Sequence, residues 1–253
     1  MPLDPELVER YQRDGFLVIE NLLTAAEIET VRQRVSDIAS AAAAYRDADI
    51  EYEPGAPRVR DLAYIRKLNN CEHNDDVLLN AAKHPKILDV VEALIGPDIK
   101  LFGEQLFMKP PGGVEKPYHQ DSPYFHIEPM ALVSAWIALD DVTEENGCLK
   151  VIPGSHTLGP LPHSDVWMVG ERADMKIPDG RIDRRREVHI VMKAGSVSFH
   201  HSLLMHASGP NRTTYSRRGL AAHYMSAKSR WTGKVEQKPA YVLLHGREYA
   251  DCV

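Results

Sequence analysis

The stretch Lys116-Pro-Tyr-His-Gln-Asp-Ser122, which places His119 and Asp121 two residues apart, decides how this chain is interpreted. Far downstream, Leu204-Met-His-Ala-Ser-Gly209 supplies a second histidine, His206. Residues i and i+2 of a β-strand point the same way, about 6–7 Å apart, so the first pair is predicted to face one point. Two imidazoles and one carboxylate are the donor set that holds a non-heme Fe(II) by one face and leaves other positions open.

The ligand set favours iron over a closed structural zinc site, because three donors leave coordination positions vacant. Zinc or manganese in the same triad stays an alternative. His200 and His201, which lie just before His206, are predicted to be structural or to orient a ligand rather than to bind metal. Gln120 is predicted to face away from the site. The remaining histidines of the second half are predicted to be surface or packed residues: His126, His156, His163, His189, His223 and His245.

The composition is that of an ordinary globular protein, with 43% hydrophobic and 26% charged residues among 253. The net charge of −6 argues against nucleic acid as a partner, because phosphate binding requires a basic surface. Three scattered cysteines give no disulfide framework and fit a reducing compartment. No secretory signal and no run of about 18 apolar residues is visible. We therefore expect a cytoplasmic enzyme without a membrane partner, either a monomer or a homodimer.

The N-terminal part, about residues 1–97, is predicted to be largely helical. Thr24-Ala-Ala-Glu27 has the pattern of a capping box, in which a hydroxyl and a carboxylate each bind an unpaired N–H at the start of a helix. We predict helices at 4–14, from 25 through the alanine run 41–44, and at 75–95 with a break at Pro85. We predict strands at 16–19 and within 59–68, and a loop at 46–57.

Short strands separated by Gly, Pro and Asn dominate residues 98–228, which predicts an antiparallel barrel or jelly roll. Within this barrel core, residues 157–186 carry many charges and no clear period. They are interpreted either as a solvated surface insertion or as a lid over the barrel mouth. The whole chain, 1–253, is predicted to be one domain. The predicted strands are 99–108, 117–121, 131–140, 148–152, 187–192, 196–200, 203–208 and 217–227.

Several motifs together resemble the phytanoyl-CoA dioxygenase (PhyH) family. The resemblance rests on His119-Gln-Asp121, on Trp136-Ile-Ala-Leu-Asp-Asp-Val-Thr-Glu-Glu-Asn-Gly-Cys-Leu149, on Ile152-Pro-Gly-Ser-His156 and on His206-Ala-Ser-Gly with Arg217. It implies a mainly β fold, a double-stranded β-helix of the jelly-roll or cupin type with flanking N-terminal α-helices. It also implies dependence on Fe(II), 2-oxoglutarate and O2, with ascorbate as an optional reductant.

The same resemblance implies roles for individual residues. His119, Asp121 and His206 are the expected iron ligands, and Arg217 is expected to bind the distal carboxylate of 2-oxoglutarate. A guanidinium suits this role because it stays charged and offers two parallel hydrogen bonds to a carboxylate. Arg218 is expected to point to the other face as a surface or structural cation. The resemblance also assigns positions near the co-substrate to Ser208, Lys67, Gln105 and Trp136, where the alternatives are a solvated lysine for Lys67 and a core aromatic for Trp136.

The predicted reaction is oxidation, most simply hydroxylation, of a C–H bond of a small molecule, with 2-oxoglutarate converted to succinate and CO2. Three alternatives remain: a cupin-like metal-dependent isomerase or lyase that does not use 2-oxoglutarate, a catalytically silent binding protein, and an acyl-CoA hydroxylase of the phytanoyl-CoA type. A CoA ester requires a basic patch for its phosphates, and Arg184-Arg-Arg186 is the candidate run. Substrate walls are expected among Tyr118, Tyr124, Phe125 and His126, with ordinary barrel core as the alternative.

Overall fold

A computed structural model describes residues 3–253 of the chain. Five α-helices lie in its first 95 residues: α1 (Pro5–Asp14), α2 (Ala25–Ala39), α3 (Cys71–Asn74), α4 (Asp76–Ala82) and α5 (Pro85–Ile95). The strands are β1 (Phe16–Ile19), β2 (Ile50–Tyr52), β3 (Ile65–Asn69), β4 (Ile99–Lys109), β5 (Lys116–His119), β6 (Ile127–Glu128), β7 (Val133–Ala138), β8 (Leu149–Val151), β9 (Asp165–Val169), β10 (Arg172–Lys176), β11 (Val188–Ile190), β12 (Val197–His201), β13 (His206–Ser208), β14 (Arg217–Ser226), β15 (Arg230–Trp231) and β16 (Val242–His245).

Two antiparallel sheets build the barrel, which confirms the mainly β jelly-roll prediction. The larger sheet has the order β1-β12-β7-β14-β4-β3-β2, and β16 also pairs with β4. The smaller sheet has the order β11-β8-β13-β5. Strands β1, β2, β3 and β16 come from outside residues 98–228, so the large sheet recruits both ends of the chain.

The period-two alternation of β4 and β14 separates the core from a cavity between the sheets. Leu106, Leu220 and Tyr224 face outward and pack in the main hydrophobic core, which also contains buried residues of α2, α4 and α5. Gln105 and Ala221, each one position away, line the cavity instead. The helices therefore seal the outer face of the large sheet and leave its inner face for a site.

The N-terminal helices begin and end largely as predicted. Thr24 and Glu27 form the capping box, with the Thr24 N–H donating to Glu27 Oε2 over 2.7 Å. Gly15 ends α1 in the left-handed region at φ 80°, and a Cβ there would lie 2.5 Å from His156 Nδ1. Proline occupies the first turn of α5, where its missing N–H costs nothing.

Two predictions in this part were wrong. The alanine run does not extend α2, which ends at Ala39, because Ala41 turns the chain at φ 59° and lets Ala43 and Tyr45 enter the core. This burial outweighs the helix propensity of alanine. Residues 46–57 are not entirely loop, since β2 pairs with β3. A strand of three residues is too short to show a period.

Residues 157–186 contain a β-hairpin, β9–β10, rather than unstructured chain. Its two strands pair with each other and, among the described residues, with no further strand. Side chains fix it to the barrel: Lys116 Nζ donates to Asp174 Oδ1 over 2.6 Å, and Trp167 Nε1 donates to Glu115 Oε1 over 3.1 Å. Ala173 and Met175 of the hairpin line the central cavity. No helix within residues 3–253 is both long and apolar enough to cross a membrane.

Candidate active site

The three predicted donors converge in the wall of the cavity. His119 ends β5, and His206 begins β13 directly opposite it in the register of the small sheet. Asp121 Oδ1 lies 3.7 Å from His119 Nε2 and 3.6 Å from His206 Nε2. Ligand atoms of all three residues lie within 4.8 Å of one another. Histidine and aspartate ligands sit about 2.0–2.2 Å from a metal such as zinc, so a single metal ion fits between them after shifts of a few tenths of an ångström.

Convergence does not arise in the way that strand alternation predicted. β5 ends at His119, and Asp121 has helical angles (φ −78°, ψ −48°) at the start of a 3₁₀ turn. The Asp121 N–H donates to Ser202 O over 2.9 Å, which holds this turn against the chain that leads into β13. Gln120 faces away from the cavity, as predicted, and its amide donates to Leu203 O over 2.7 Å. The turn, not a continued strand, aims the carboxylate.

Backbone carbonyls select the tautomer of both imidazoles. His119 Nδ1 lies 2.8 Å from Pro117 O, and His206 Nδ1 lies 3.0 Å from Leu204 O. A carbonyl only accepts hydrogen bonds, so each Nδ1 carries the proton and each Nε2 directs its lone pair at Asp121. This is the usual second contact of a metal-binding histidine. The donor set therefore fits a divalent metal ion.

The electrostatics of the triad also suit a cation. Burial lowers the pKa of His119 well below its ordinary value, with His206 and Lys116 adding to the effect. Burial likewise lowers the pKa of His206. Burial alone would raise the pKa of Asp121, but His206, His200 and His223 together hold it well below its ordinary value. Two neutral imidazoles and one carboxylate are thus present at neutral pH, and metal binding requires those forms.

Three further side chains support Asp121. Ser134 Oγ donates to Asp121 Oδ2 over 3.2 Å and lies 2.7 Å from His223 Nδ1, which leaves the imidazole as the donor in that second contact. His200 Nε2 lies 3.6 Å from the same carboxylate oxygen, which agrees with its predicted supporting role. His223 was predicted to be an ordinary packed residue, and that prediction was wrong because it lines the cavity. Counting by twos along β14 from Arg217 would have found it.

Arg217 lines the same cavity and is only 3% exposed. One Nη donates to Gly147 O over 2.8 Å, and Nε has no hydrogen-bond partner in residues 3–253. The guanidinium lies over the Trp136 ring at 5.1 Å, so Trp136 is a cavity wall as well as a core residue. Burial lowers the pKa of Arg217 to about 10, which still leaves it charged at neutral pH. A buried cation with a free N–H is ready for an anion.

Ser208 also lines the cavity, next to a lysine that the sequence analysis did not single out. Lys109 Nζ donates to Ser208 Oγ over 2.8 Å and to Gly209 O over 2.5 Å. Burial and the neighbouring Arg217 lower the pKa of Lys109 well below its ordinary value. Because Lys109 and Gln105 are separated by four strand positions, alternation places both in the cavity.

Lys67 and Gln105 line the cavity too, and Lys67 is not a freely solvated lysine. Lys67 Nζ lies 3.0 Å from Glu51 Oε1, so its charge is partly compensated. Arg218 points to the other face, as predicted, where its guanidinium binds both oxygens of Asp140. Alternation along β14 thus directs Arg217 into the cavity and Arg218 to the opposite face, where it forms an ion pair.

The cavity has a volume of about 570 Å³. Of the expected substrate walls, Tyr124 and Phe125 line it. Tyr118 instead packs in a separate core and donates to Glu187, and the His126 ring contacts Trp231. Among the described residues that line the cavity, none belongs to the run 184–186, whose Arg184 and Arg185 pair with Asp179 and Asp183.

Comparisons with known proteins agree with this geometry. Phytanoyl-CoA dioxygenase of Homo sapiens, a peroxisomal protein, is 32% identical over 229 residues, which cover 86% of this chain and 67% of that protein. A probable alpha-ketoglutarate-dependent hypophosphite dioxygenase of Stutzerimonas stutzeri is 26% identical over 225 residues, covering 88% and 78%. The solved apo structure of EctD from S. alaskensis superposes with a TM-score of 0.77 at 25% identity, covering 99% of this chain and 86% of that one.

The family model described as phytanoyl-CoA dioxygenase (PhyH) matches residues 11–219, which include the three candidate metal ligands and Arg217. The matched range also covers most of the strands of both sheets. This chain belongs to the phytanoyl-CoA dioxygenase (PhyH) family.

Proposed function

We propose that this chain is an Fe(II)- and 2-oxoglutarate-dependent dioxygenase in which His119, Asp121 and His206 hold the iron. The observation that carries the proposal is the presence of a two-histidine, one-carboxylate cluster and a buried arginine in one cavity. Membership of the PhyH family supports it, as does the alpha-ketoglutarate dependence in the name of one relative. An open triad suits Fe(II) better than a closed structural zinc site.

Iron held by these three residues would supply, with O2 and 2-oxoglutarate, the power to oxidise a C–H bond, with succinate and CO2 as the products of the co-substrate. The protein contributes binding, orientation and exclusion of water. His119 and His206 each have a free lone pair on Nε2, because their Nδ1–H groups donate to the backbone carbonyls of residues 117 and 204. Ser134 and His200 orient the Asp121 carboxylate.

Arg217 is proposed to bind the distal carboxylate of 2-oxoglutarate, and the Ser208 hydroxyl to donate to the same group. Both line the cavity, and the free N–H of Arg217 is buried there. Trp136 holds the guanidinium plane from one side. Gln105 and Lys67 are proposed as further wall residues for the co-substrate, with the charge of Lys67 moderated by Glu51.

The substrate is proposed to be a free small molecule rather than a CoA ester. Pockets of about 300–1,000 Å³ hold drug-sized ligands, and the cavity lies within that range. Tyr124, Phe125 and the hairpin residues Ala173 and Met175 offer it apolar contact. The one basic run, 184–186, lies away from the cavity and has its own acidic partners, so it offers no ready site for CoA phosphates.

The metal assignment is tested by replacing Asp121 or His206 with alanine. Each variant is expected to lose succinate formation with Fe(II), 2-oxoglutarate and ascorbate, while its circular dichroism spectrum is unchanged. Normal succinate formation by either variant would contradict the assignment. If the wild type turned over a substrate without releasing succinate, the isomerase or lyase alternative would replace this proposal.

The anion assignment is tested by Arg217→Ala, with Arg218→Ala as the matched control. Removing one partner of a buried charged contact costs about 2–5 kcal/mol, so the dissociation constant for 2-oxoglutarate should rise on the order of 30- to several thousand-fold. Arg218 binds Asp140 on the opposite face, so its loss should leave this constant unchanged. Calorimetry measures both. Equal affinity in wild type and Arg217→Ala would move the anion site elsewhere.

A further inference from the structure

Lys109 is a buried lysine to which the proposed function assigns no role. It lies on β4 directly opposite Arg217 on β14, and it is 8% exposed. Its ammonium reaches across to the end of β13, where it contacts Ser208 Oγ and Gly209 O. Asn211 Nδ2 donates to the Lys109 carbonyl over 2.8 Å, which fixes the backbone from which the side chain extends. The lysine side chain therefore connects the large sheet to the small sheet next to Arg217.

The contact between Lys109 and Ser208 determines where the serine proton can go. In its charged form, which a bound dicarboxylate favours, the lysine has three donors and no acceptor, so the Ser208 oxygen must accept. A hydroxyl has one proton and two lone pairs, and Ser208 Oγ makes no other hydrogen bond within the described chain. Its proton is therefore left for a group inside the cavity. A carboxylate, which only accepts, is the natural partner.

We propose that Lys109 is a positioning residue for the co-substrate: its ammonium orients the Ser208 hydroxyl so that the hydroxyl donates to the carboxylate bound by Arg217. This inference rests on the proposed function. Without the ammonium, the Ser208 hydroxyl is free to rotate and donate to another acceptor such as a backbone carbonyl or water. A dicarboxylate bound by Arg217 and Ser208 also favours the charged form of the nearby lysine, because a neighbouring opposite charge stabilises it.

The proposal differs from direct binding of the carboxylate by Lys109 in its energetic signature. If the lysine acts through Ser208, the two residues form one unit, and removing both costs little more than removing one. If the lysine contacts the carboxylate itself, the two losses add. A double-mutant cycle therefore separates the two roles.

The experiment measures binding of 2-oxoglutarate by calorimetry to protein loaded with Zn(II), which is redox-inert. Hydrogen bonds to charged groups are worth about 1.5–3 kcal/mol, so Lys109→Met should weaken binding on the order of 10- to 100-fold. Ser208→Ala should weaken it by a similar factor. The double variant should stay within about threefold of the weaker single variant. Additive losses, or an unchanged affinity in Lys109→Met, would overturn the proposal.

Lys116→Met is the matched control. Lys116 also lines the cavity, but its ammonium binds Asp174 of the hairpin. Lys116 pairs with Ser208 in the register of β5 and β13, but the Ser208 hydroxyl is bonded to Lys109 and not to Lys116. Lys116→Met therefore removes the same charge and leaves that hydrogen bond in place, so its effect on 2-oxoglutarate affinity should be several-fold smaller than that of Lys109→Met. An equal effect of the two variants would show that 2-oxoglutarate affinity depends only on the net positive charge of the cavity, and would overturn the positioning role.

Failure of the proposed function is distinguishable from failure of this inference. Absence of 2-oxoglutarate binding by the wild type rejects both, whereas binding that depends on Arg217 but not on Lys109 rejects the inference alone. If Lys109→Met does not fold, the cycle is run with Lys109→Gln, whose amide still donates a hydrogen bond. Its effect should then vanish in the Ser208→Ala background, and a loss that persists there contradicts the proposal.

Discussion

Glu104→Gln is expected to change the pH dependence of stability in a defined direction. Glu104 lies on the outer face of β4, is 1% exposed, and neither carboxylate oxygen has a hydrogen-bond partner within residues 3–253. Burial, together with Glu72 and Asp75, raises its pKa well above the ordinary value of 4.5. The folded protein therefore keeps this carboxyl protonated at a pH where the unfolded chain has already lost the proton.

The sign follows from proton linkage. Above about pH 4.5 the folded state binds one proton more than the unfolded state, so the free energy of unfolding falls by about 1.4 kcal/mol per pH unit until the folded pKa is passed. For a domain of about 150–250 residues, 1 kcal/mol shifts Tm by about 2–4 °C. Glutamine has no proton to lose. The Tm of Glu104→Gln minus that of wild type should therefore increase by about 3–6 °C per pH unit between about pH 4.5 and the folded pKa of Glu104.

Thermal melts of wild type and Glu104→Gln at about pH 5.5, 6.5 and 7.5 test the expectation, because titrating groups distant from Glu104 cancel in the difference. Exposed Glu236 provides the matched control, since Glu236→Gln removes the same charge without a buried carboxyl. A constant difference between wild type and Glu104→Gln at the three pH values would refute the reasoning. It would mean that the carboxyl finds a partner or water that stabilises its charged form.

Three further outcomes are expected. Gly219→Ala places a Cβ 1.9 Å from Cζ2 of Trp136, so the indole must move and 2-oxoglutarate should bind more weakly by calorimetry; equal affinity would show that the ring is not a fixed wall. Thr24→Ala removes an N-cap and should cost about 1 kcal/mol, or about 2–4 °C in Tm, and an unchanged Tm would contradict the importance of the cap. Asp174→Asn removes the ion pair with Lys116, so proteolysis within 165–176 should accelerate while Tm stays unchanged; a matching fall in Tm would mean that the hairpin supports the barrel.

Strand periodicity was the most reliable guide to this molecule. It predicted β4 and β14 almost to their ends and separated Arg217 from Arg218 by face. Applied consistently, it would also have placed His223 and Lys109 in the cavity, because each is an even number of positions from a residue already assigned there. Strand alternation alone is therefore enough to predict that both side chains face the cavity.

Other features depend on tertiary contacts that no local pattern encodes. The position of Asp121 relies on a 3₁₀ turn bonded to Ser202, 81 residues later. The pairing of Lys67 with Glu51 relies on β2, which is too short to leave a period. The end of α2 relies on the burial of Tyr45, which overrides the propensity of the alanine run.

The β9–β10 hairpin has a consequence for how this protein can diversify. Its backbone hydrogen bonds close within the hairpin, and the ladder of the described barrel strands does not include it. Its outward side chains, Val166 and Met168, are 55% and 64% exposed, so their identity is nearly free of packing demands. Because Ala173 and Met175 of the same hairpin line the cavity, substitutions in this hairpin are expected to alter which molecules the cavity accepts without altering the strand order of the barrel.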